Sequence, residues 1–419
     1  MLLKILSTVF SKVFTAGIGF IVVIITARAL GAAVRGDIAL LLLNISIIGL
    51  FQGIFNGSVL IYLTPKFSFI KLFFLTNLLS LIFAIGLPYL MVALKLLEVG
   101  QVNTLVVLTA LQGLLTTSQS LLLGKEKIQQ FNLLEIIKSS VLLISIIYFF
   151  WSMNDISLES VIYGYALSYI IPLVFSFFHI LKYFKSEPIE NKEEKSMLSS
   201  LLKYGFEIQI NNISHMINYR FCFYIIEKWK GKDALGIFSI ALSLCEVIWI
   251  IAKSISTFQY SKIVNTTDAE SQRKLTIHSL QLSLLATIPP LAVLLVLPNS
   301  LFAFIFGEEF GSIRTVLFSL SLGVIFLSIF TIINHYFSGI GKNKPNIIGS
   351  FIGNIVVISS CLMLIPIWGN IGAGIATSVT FLVILAYIVY RFMRHTKTTF
   401  TELIPSRSSV KSLIRELKN

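Results

Sequence analysis

The chain has 419 residues, of which 56% are hydrophobic and only 13% are charged, and its mean hydropathy is +0.87. Soluble domains carry about a quarter charged residues, so this composition excludes an ordinary water-soluble globular protein. A net charge of +13 also occurs in nucleic-acid-binding proteins. In this chain the distribution of Lys and Arg indicates that the charge reflects the orientation of the protein in the membrane, and we expect no nucleic-acid partner.

Twelve apolar segments are long enough to cross a bilayer, whose hydrocarbon core needs about 20 helical residues. They run over residues 5–27, 38–62, 68–94, 102–123, 131–150, 156–183, 198–226, 234–260, 275–304, 312–337, 346–366 and 371–393. The first segment is too long and too weakly basic at its start for a secretory signal, so we expect it to be retained. The sequence predicts an all-α polytopic membrane protein.

Two hydrophilic joints between these segments occur twice. Gly31–Gly36 matches Gly231–Gly236 at an offset of 200 residues, and Gly124–Lys127 matches Gly341–Lys344 at an offset of 217. A tandem duplication with six spans per copy makes the copies parallel repeats. We therefore expect two parallel six-helix bundles over residues 1–183 and 198–395, a cytoplasmic linker over 184–197 and a basic cytoplasmic tail over 396–419.

The Lys and Arg residues predict the orientation. With the N-terminus inside, the cytoplasmic segments hold 22 of the 33 Lys and Arg residues, the opposite side holds 7, and 4 lie within spans. Cytoplasmic loops are enriched in these residues, so we expect both termini to be cytoplasmic.

No recognisable cofactor or catalytic motif is present in the loops. The three cysteines fall inside predicted spans without metal-binding spacing, and Gly341-Lys342 is followed by Asn343 instead of the Ser or Thr of a phosphate loop. We therefore expect buried, inert thiols, no cofactor and no enzymatic activity.

Polar residues within the predicted seventh span are candidates for function, because such groups are costly in a bilayer. One stripe along this helix consists of Glu207, Asn211, His215 and Asn218, and Arg220 lies on roughly the opposite side. We expect the stripe to line a hydrated cavity, and hydrogen bonding between helices is the alternative.

The eighth span carries Glu246 and Lys253 on one face, about 10.5 Å apart along the axis, so they are not expected to form a pair. Glu246 should be neutral, paired or facing water. Four lysines lie toward the cytoplasmic ends of spans: Lys12, Lys138, Lys203 and Lys253. They either extend to the lipid headgroups or form a basic vestibule for an anionic headgroup.

Three segments resemble those of polysaccharide exporters and Wzx-type O-antigen flippases. They are Ala27–Gly31 followed by Gly36, Gly339–Lys342, and Leu364–Thr377. The resemblance extends through about residue 393 and includes the division into two halves. It implies the multidrug-exporter-like fold shared with lipid II flippases and MATE transporters, in a bacterial cytoplasmic (inner) membrane.

The same resemblance implies that the substrate is an undecaprenyl-diphosphate-linked oligosaccharide, such as an O-antigen unit of lipopolysaccharide. It would be flipped to the outer leaflet by alternating access, with membrane lipids and possible polymerase and chain-length-regulator partners. From position and chemistry, the headgroup would meet Lys12, Lys138 and Lys253, and its sugars or phosphates would contact Asn211, His215, Asn218 and Arg220. Glu207 and Glu246 are the candidates for coupling to H⁺ or Na⁺.

Three other functions remain open. A MATE-like, ion-coupled antiporter of cationic drugs would have an acidic, aromatic cavity, whereas lysines outnumber mid-span acids here. A membrane polysaccharide polymerase or ligase would need a large outer loop with catalytic Arg or His residues, and every predicted outer loop is short. A scaffold without transport activity would leave the intramembrane charges without a role.

Overall fold

The computed structural model describes residues 2–184, 194–266 and 268–405, with the side chains at 2–10, 184, 194–196, 207, 208 and 211 outside the description. The helices are α1 (Leu2–Gln52), α2 (Ser58–Leu63), α3 (Phe69–Ala93), α4 (Val102–Gly124), α5 (Ile128–Ile147), α6 (Leu158–Phe184), α7 (Glu194–Val264), α8 (Ala269–Val296), α9 (Asn299–Phe306), α10 (Ile313–Gly339), α11 (Lys344–Thr396) and α12 (Phe400–Leu403). No residue in this part of the chain is in a β-strand, and the predicted all-α class is confirmed.

Nine helices in the described ranges are long and apolar enough to span a membrane, and they account for the twelve predicted spans. Helices α7 and α11 each contain two of the predicted spans, and α1 contains the first span and most of the second, which continues into α2. In each of these three helices the two spans are joined at a residue with non-helical backbone angles. Those residues are Gly31, Gly231 and Gly369. The protein is therefore a multi-pass helical membrane protein.

The conformation of the repeated joint explains why glycine occupies it in both copies. Gly31 has φ 76° and ψ −179°, and Gly231 has φ 84° and ψ 177°. This backbone region is open almost exclusively to glycine, because a side chain there would clash with its own backbone. At Gly231 the two halves of α7 fold back on each other, and the rings of Phe223 and Phe238 lie 5.9 Å apart on either side of the joint.

The chain forms two compact units. The first contains Met1–Leu30 and Asp37–Ile213, and the second contains Gly31–Gly36 and Ser214–Asn419. In the first unit, buried side chains of α2, α3 and α4 form an apolar core with Ile180 of α6 and Leu201 of α7. The proposed linker at 184–197 falls largely on residues outside the described ranges, so the predicted bundle limits stay a prediction.

In the second unit, an apolar core lies among α8, α10 and α11, and its members include Phe337, Ile388 and Phe392. The three cysteines are buried and free. Many large apolar side chains remain exposed, such as Ile355 at 72% and Met363 at 68% on α11. Exposed apolar surface of this extent is suited to contact with lipid chains.

The two repeated joints pack against each other within the second unit. A Cβ added to Gly36 would lie 2.9 Å from the carbonyl carbon of Lys232, and one added to Gly236 would lie 2.8 Å from that of Ala32. The contact is reciprocal, because positions 32 and 36 correspond to 232 and 236 in the repeat. The amide of Ala32 also donates to the carboxylate of Glu309 at 2.6 Å, which satisfies a free donor after the break at Gly31.

The described part of the basic tail packs on α8. Glu402 of α12 forms an ion pair with Arg273, and its backbone carbonyl accepts a hydrogen bond from Gln281. Thr399 and Glu402 form a capping box at the start of α12. Residues 406–419 of the predicted tail lie outside the described residues.

Candidate functional site

The second unit contains an ion pair between the two halves of α7. Arg220 Nη2 donates to Glu246 Oε1 at 2.6 Å, and the two side chains are 32% and 36% exposed. The guanidinium also lies 5.0 Å from the ring centroid of Phe223. From the sequence, Glu246 is expected to be neutral, paired or facing water. In the structure it is paired with Arg220.

Sequence reasoning did not identify Arg220 as the partner of Glu246, although a usable signal was present. Arg220 comes eleven residues before Gly231 and Glu246 fifteen residues after it. Since the chain folds back at Gly231, residues at similar distances from the joint have similar depths. The remaining difference of about one helical turn, some 6 Å, is within reach of a long Arg side chain.

Trp249 connects this ion pair to Lys253 and to α10. Its indole Nε1 donates to Thr331 Oγ1 at 3.0 Å, and its ring lies 5.6 Å from that of Tyr219. Lys253 Nζ lies 5.4 Å from the Trp249 ring centroid, a cation–π distance. We refer to the group of Arg220, Tyr219, Glu246, Trp249 and Lys253 as the Trp249 cluster.

The Trp249 cluster has two cationic side chains and one acidic side chain, so it retains one positive charge when all three are ionised. Next to it is a cavity of about 20 Å³ lined in part by Tyr219, Glu246 and Trp249. A cavity of this size holds about one water molecule. In the described conformation the cluster can therefore orient charge, but it does not enclose a substrate.

The polar stripe of the seventh span makes helix–helix hydrogen bonds where its side chains are described. Asn218 is 2% exposed and donates to the carbonyl of Ser350 on α11 at 3.2 Å. Ser214 accepts a bond of 2.8 Å from Asn354, one turn further along α11. This arrangement fits the alternative role of packing between helices.

The other predicted residues are placed as follows. His215 is half-buried, with its ring 6.0 Å from that of Phe330. Lys12 is exposed on α1, and Lys138 Nζ lies 5.4 Å from the Tyr169 ring, both in the first unit. The side chains of Glu207 and Asn211 lie outside the description.

The carboxylate of Glu135, one turn before Lys138 on α5, accepts a hydrogen bond of 2.6 Å from Gln119 Nε2 on α4. Of the predicted site residues, Arg220 and Glu246 form an ion pair, and Lys253 contacts the ring of Trp249, which lines the same small cavity as Glu246.

Comparison with known proteins identifies the fold. The structure is similar to the lipid II flippase MurJ in an inward closed conformation, with 17% identity, a TM-score of 0.67, and coverage of 99% of this chain and 91% of that chain. It is similar to an inward-facing multidrug resistance MATE family transporter of the MOP superfamily, with 13% identity, a TM-score of 0.68, and coverage of 93% and 96%. A MOP superfamily transporter from Pyrococcus furiosus matches at 13% identity with a TM-score of 0.55, covering 95% of this chain and 95% of that chain.

No family model matches the sequence, and no curated protein matches it either. The predicted relationship to Wzx-type flippases therefore stays a prediction. The three structural neighbours described above share 17% identity or less with the chain. A structural likeness at this level of identity shows the fold. The chain has the helical membrane fold found in MurJ and in MATE transporters.

Proposed function

We propose that the protein is a transporter of the MOP-superfamily type that flips an undecaprenyl-diphosphate-linked oligosaccharide. The substrate would move from the cytoplasmic to the outer leaflet by alternating access. The observation that carries this proposal is the Trp249 cluster, in which the Glu246 carboxylate is already neutralised by Arg220 and Lys253 adds a second cation. The fold shared with a lipid II flippase supports it.

The chemistry of the cluster favours an anionic group. Lys253 is an exposed residue on the same helical face as Glu246, and within the cluster its ammonium contacts the Trp249 ring and no acidic group. A diphosphate accepts charge-assisted hydrogen bonds from Lys and Arg, and can compete with Glu246 for the guanidinium of Arg220. We propose that headgroup binding exchanges the Arg220–Glu246 pair for Arg220–phosphate contacts.

When Arg220 binds phosphate it would release Glu246, and this release could couple transport to an ion. A carboxylate left without its cation inside a membrane protein gains a proton or a metal cation more readily. Glu246 is thus our candidate for H⁺ or Na⁺ coupling, and Glu207 stays a second candidate from the sequence alone. Lys12, Lys138, Asn211 and His215 stay proposed headgroup contacts on the same basis.

A MATE-like antiporter of cationic drugs is the second candidate. The aromatic rings of Tyr219 and Trp249 beside Glu246 are the observation that favours it, because carboxylates and aromatic faces both attract organic cations. In the described structure Arg220 occupies the carboxylate, which weakens this candidate. Removal of the positive charge of the cluster should therefore slow the transport of an anionic headgroup and favour the transport of a cation.

The test is transport by purified protein in proteoliposomes that contain a fluorescent undecaprenyl-diphosphate oligosaccharide. We expect Lys253→Gln and Arg220→Gln to slow flipping at least tenfold, since each removes a charge-assisted bond of about 1.5–3 kcal/mol. Lys262→Gln is the matched control, because Lys262 lies on the same helix with its ammonium 5.8 Å from the Phe258 ring, outside the cluster.

Three outcomes decide between the candidates. Normal flipping by both Lys253→Gln and Arg220→Gln, at normal abundance, would refute the proposed site. Absence of flipping by the wild-type protein, together with dye efflux that Glu246→Gln abolishes, would favour the antiporter. Slow flipping in both variants with a normal Lys262→Gln protein supports the flippase.

A further inference from the structure

A second strongly basic site lies in the second unit, away from the Trp249 cluster. A cavity of about 700 Å³ opens where α10 ends and α11 begins, and the end of α11 forms its opposite wall. Its described lining contains five basic residues and no acidic one: Lys342, Lys344, Arg391, Arg394 and His395. Cavities of about 300–1,000 Å³ are typical of small-ligand sites.

The basic side chains are held in place by neighbouring aromatic and imidazole groups. Lys342 Nζ lies 2.8 Å from His395 Nε2, and His395 Nδ1 lies 3.2 Å from the hydroxyl of Tyr336. Because an ammonium can only donate, Nε2 accepts from Lys342 and Nδ1 carries the imidazole proton. Arg394 Nη1 contacts the hydroxyl of Tyr390 at 3.3 Å. The donors are thus oriented without any acidic partner in the cavity.

The backbone adds further donors. Asn343 precedes α11 and makes no side-chain capping hydrogen bond. Pro345 in the first turn has no N–H, so the backbone donors of that turn are the amides of Lys344 and Asn346. The first N–H groups of a helix have no intrahelical partners, and they favour an anion at this end of the helix dipole. A helix start with no cap, open to a cavity lined by basic side chains, is suited to phosphate.

The surroundings favour a lipid as the source of the phosphate. In the two turns after Pro345, Ile347, Ile348 and Phe351 are exposed, the last at 52%. Tyr390, beside the arginines, is 56% exposed. An apolar surface that continues from a basic cavity matches a molecule with a charged head and hydrocarbon chains, and basic pockets between membrane helices bind anionic lipid headgroups in this way.

We infer that this cavity is a binding site for the phosphate headgroup of an anionic membrane lipid, which is a resident ligand and not the transported substrate. The headgroup phosphate accepts hydrogen bonds from Lys342, Arg391 and Arg394, and the acyl chains lie along the exposed start of α11. The site is distinct from the Trp249 cluster, which contains none of its residues.

The first copy of the repeat provides a natural contrast. Its corresponding joint has Glu126 where the second copy has Asn343, so an acidic residue enters the position next to the helix start. Lys125, which corresponds to Lys342, lies 6.0 Å from the ring of Tyr183. Lys125 is therefore a matched control, because it is a lysine at the equivalent joint and does not line the cavity at Lys342.

The experiment measures lipid binding to the full-length, delipidated protein in micelles by native mass spectrometry. Phosphatidylglycerol, phosphatidylcholine and inorganic phosphate are the three probes. We expect preferential binding of phosphatidylglycerol and a loss of about fivefold in affinity per cation removed in Lys342→Gln, Arg391→Gln and Arg394→Gln, or roughly a hundredfold for the triple variant. Lys125→Gln should bind phosphatidylglycerol like the wild type.

The inference fails if the triple variant retains the wild-type affinity, or if the wild type does not prefer phosphatidylglycerol to phosphatidylcholine. Binding of inorganic phosphate as tight as that of phosphatidylglycerol overturns the lipid as the source. The double variant Arg391→Lys, Arg394→Lys guards against misfolding, because it keeps both charges. It should retain most of the affinity that the triple variant loses, and equal losses in the two variants would refute the electrostatic basis.

Discussion

The close contact between the repeated joints predicts a sharp difference between two glycine-to-alanine substitutions in α1. In Gly36→Ala the new methyl group would overlap the carbonyl oxygen of Lys232 and lie 2.9 Å from its carbonyl carbon and 3.1 Å from its Cα. These neighbours are backbone atoms, so no side chain can turn away. In Gly19→Ala nothing lies within 4 Å of the new methyl group.

The expected cost follows from these distances. Ordinary carbon contacts begin near 3.4 Å, so the two chain segments must separate by roughly 0.5 Å or more. Overpacking of this kind costs about 1–3 kcal/mol. Both glycines have helical backbone angles, so the gain in helix propensity of up to about 1 kcal/mol is common to both variants and cancels in the comparison.

The assay is the apparent unfolding temperature of the purified protein in micelles, followed by tryptophan fluorescence. We expect Gly36→Ala to unfold at a lower temperature than the wild type and Gly19→Ala to unfold at the same or a higher temperature. The reciprocal substitution Gly236→Ala should behave like Gly36→Ala, because its methyl group meets the backbone of Ala32. Equal unfolding temperatures for Gly36→Ala and Gly19→Ala would refute the reasoning.

Two further predictions concern the ends of helices. Glu309→Gln should lower the free energy of unfolding by about 0.3–1 kcal/mol, because it removes the charge of the group that accepts from the amide of Ala32. An unchanged unfolding temperature would contradict a stabilising role for this carboxylate. The hydroxyl of Thr399 and, to a lesser extent, Arg273 hold the pKa of Glu402 below its usual range. The docking of α12 should therefore be intact above the ordinary carboxyl pKa. It should weaken only as the pH falls through the lower pKa that Glu402 has in the folded protein. Proteolytic cleavage at residues 396–405 against pH measures this docking, and Glu402→Gln should abolish the pH dependence.

The membrane fold could be predicted from sequence because its main signal is local. Each apolar segment is read from its own residues, and Gly31 and Gly231 appear where hydropathy falls between two spans. The sequence did not show that a single glycine with non-helical backbone angles separates the two helices at each joint. That detail depends on the backbone angles of one residue, which composition does not encode.

The site was less predictable, because its geometry depends on which helix faces which. Arg220 and Glu246 were each identified as costly intramembrane charges, but their pairing requires the fold-back of α7. Asn218 was placed on a polar stripe, and whether that stripe faced water or α11 could not be read from one helix. The basic cavity at Lys342 was missed, because its residues are about 50 positions apart and look like ordinary topology signals one by one.

The reciprocal packing of Gly36 on Lys232 and of Gly236 on Ala32 bears on the origin of the chain. Residues 31–36 belong to the first copy in sequence but to the second unit in space, so a fragment that starts at Ser214 would lack part of its own packing. A contact in which equivalent positions exchange roles is isologous, as in a symmetric dimer. A single ancestral copy of about 200 residues would have been able to make this same contact with a second molecule of itself. The duplication would then have converted an association between two chains, dependent on their concentration, into a permanent one within a single polypeptide.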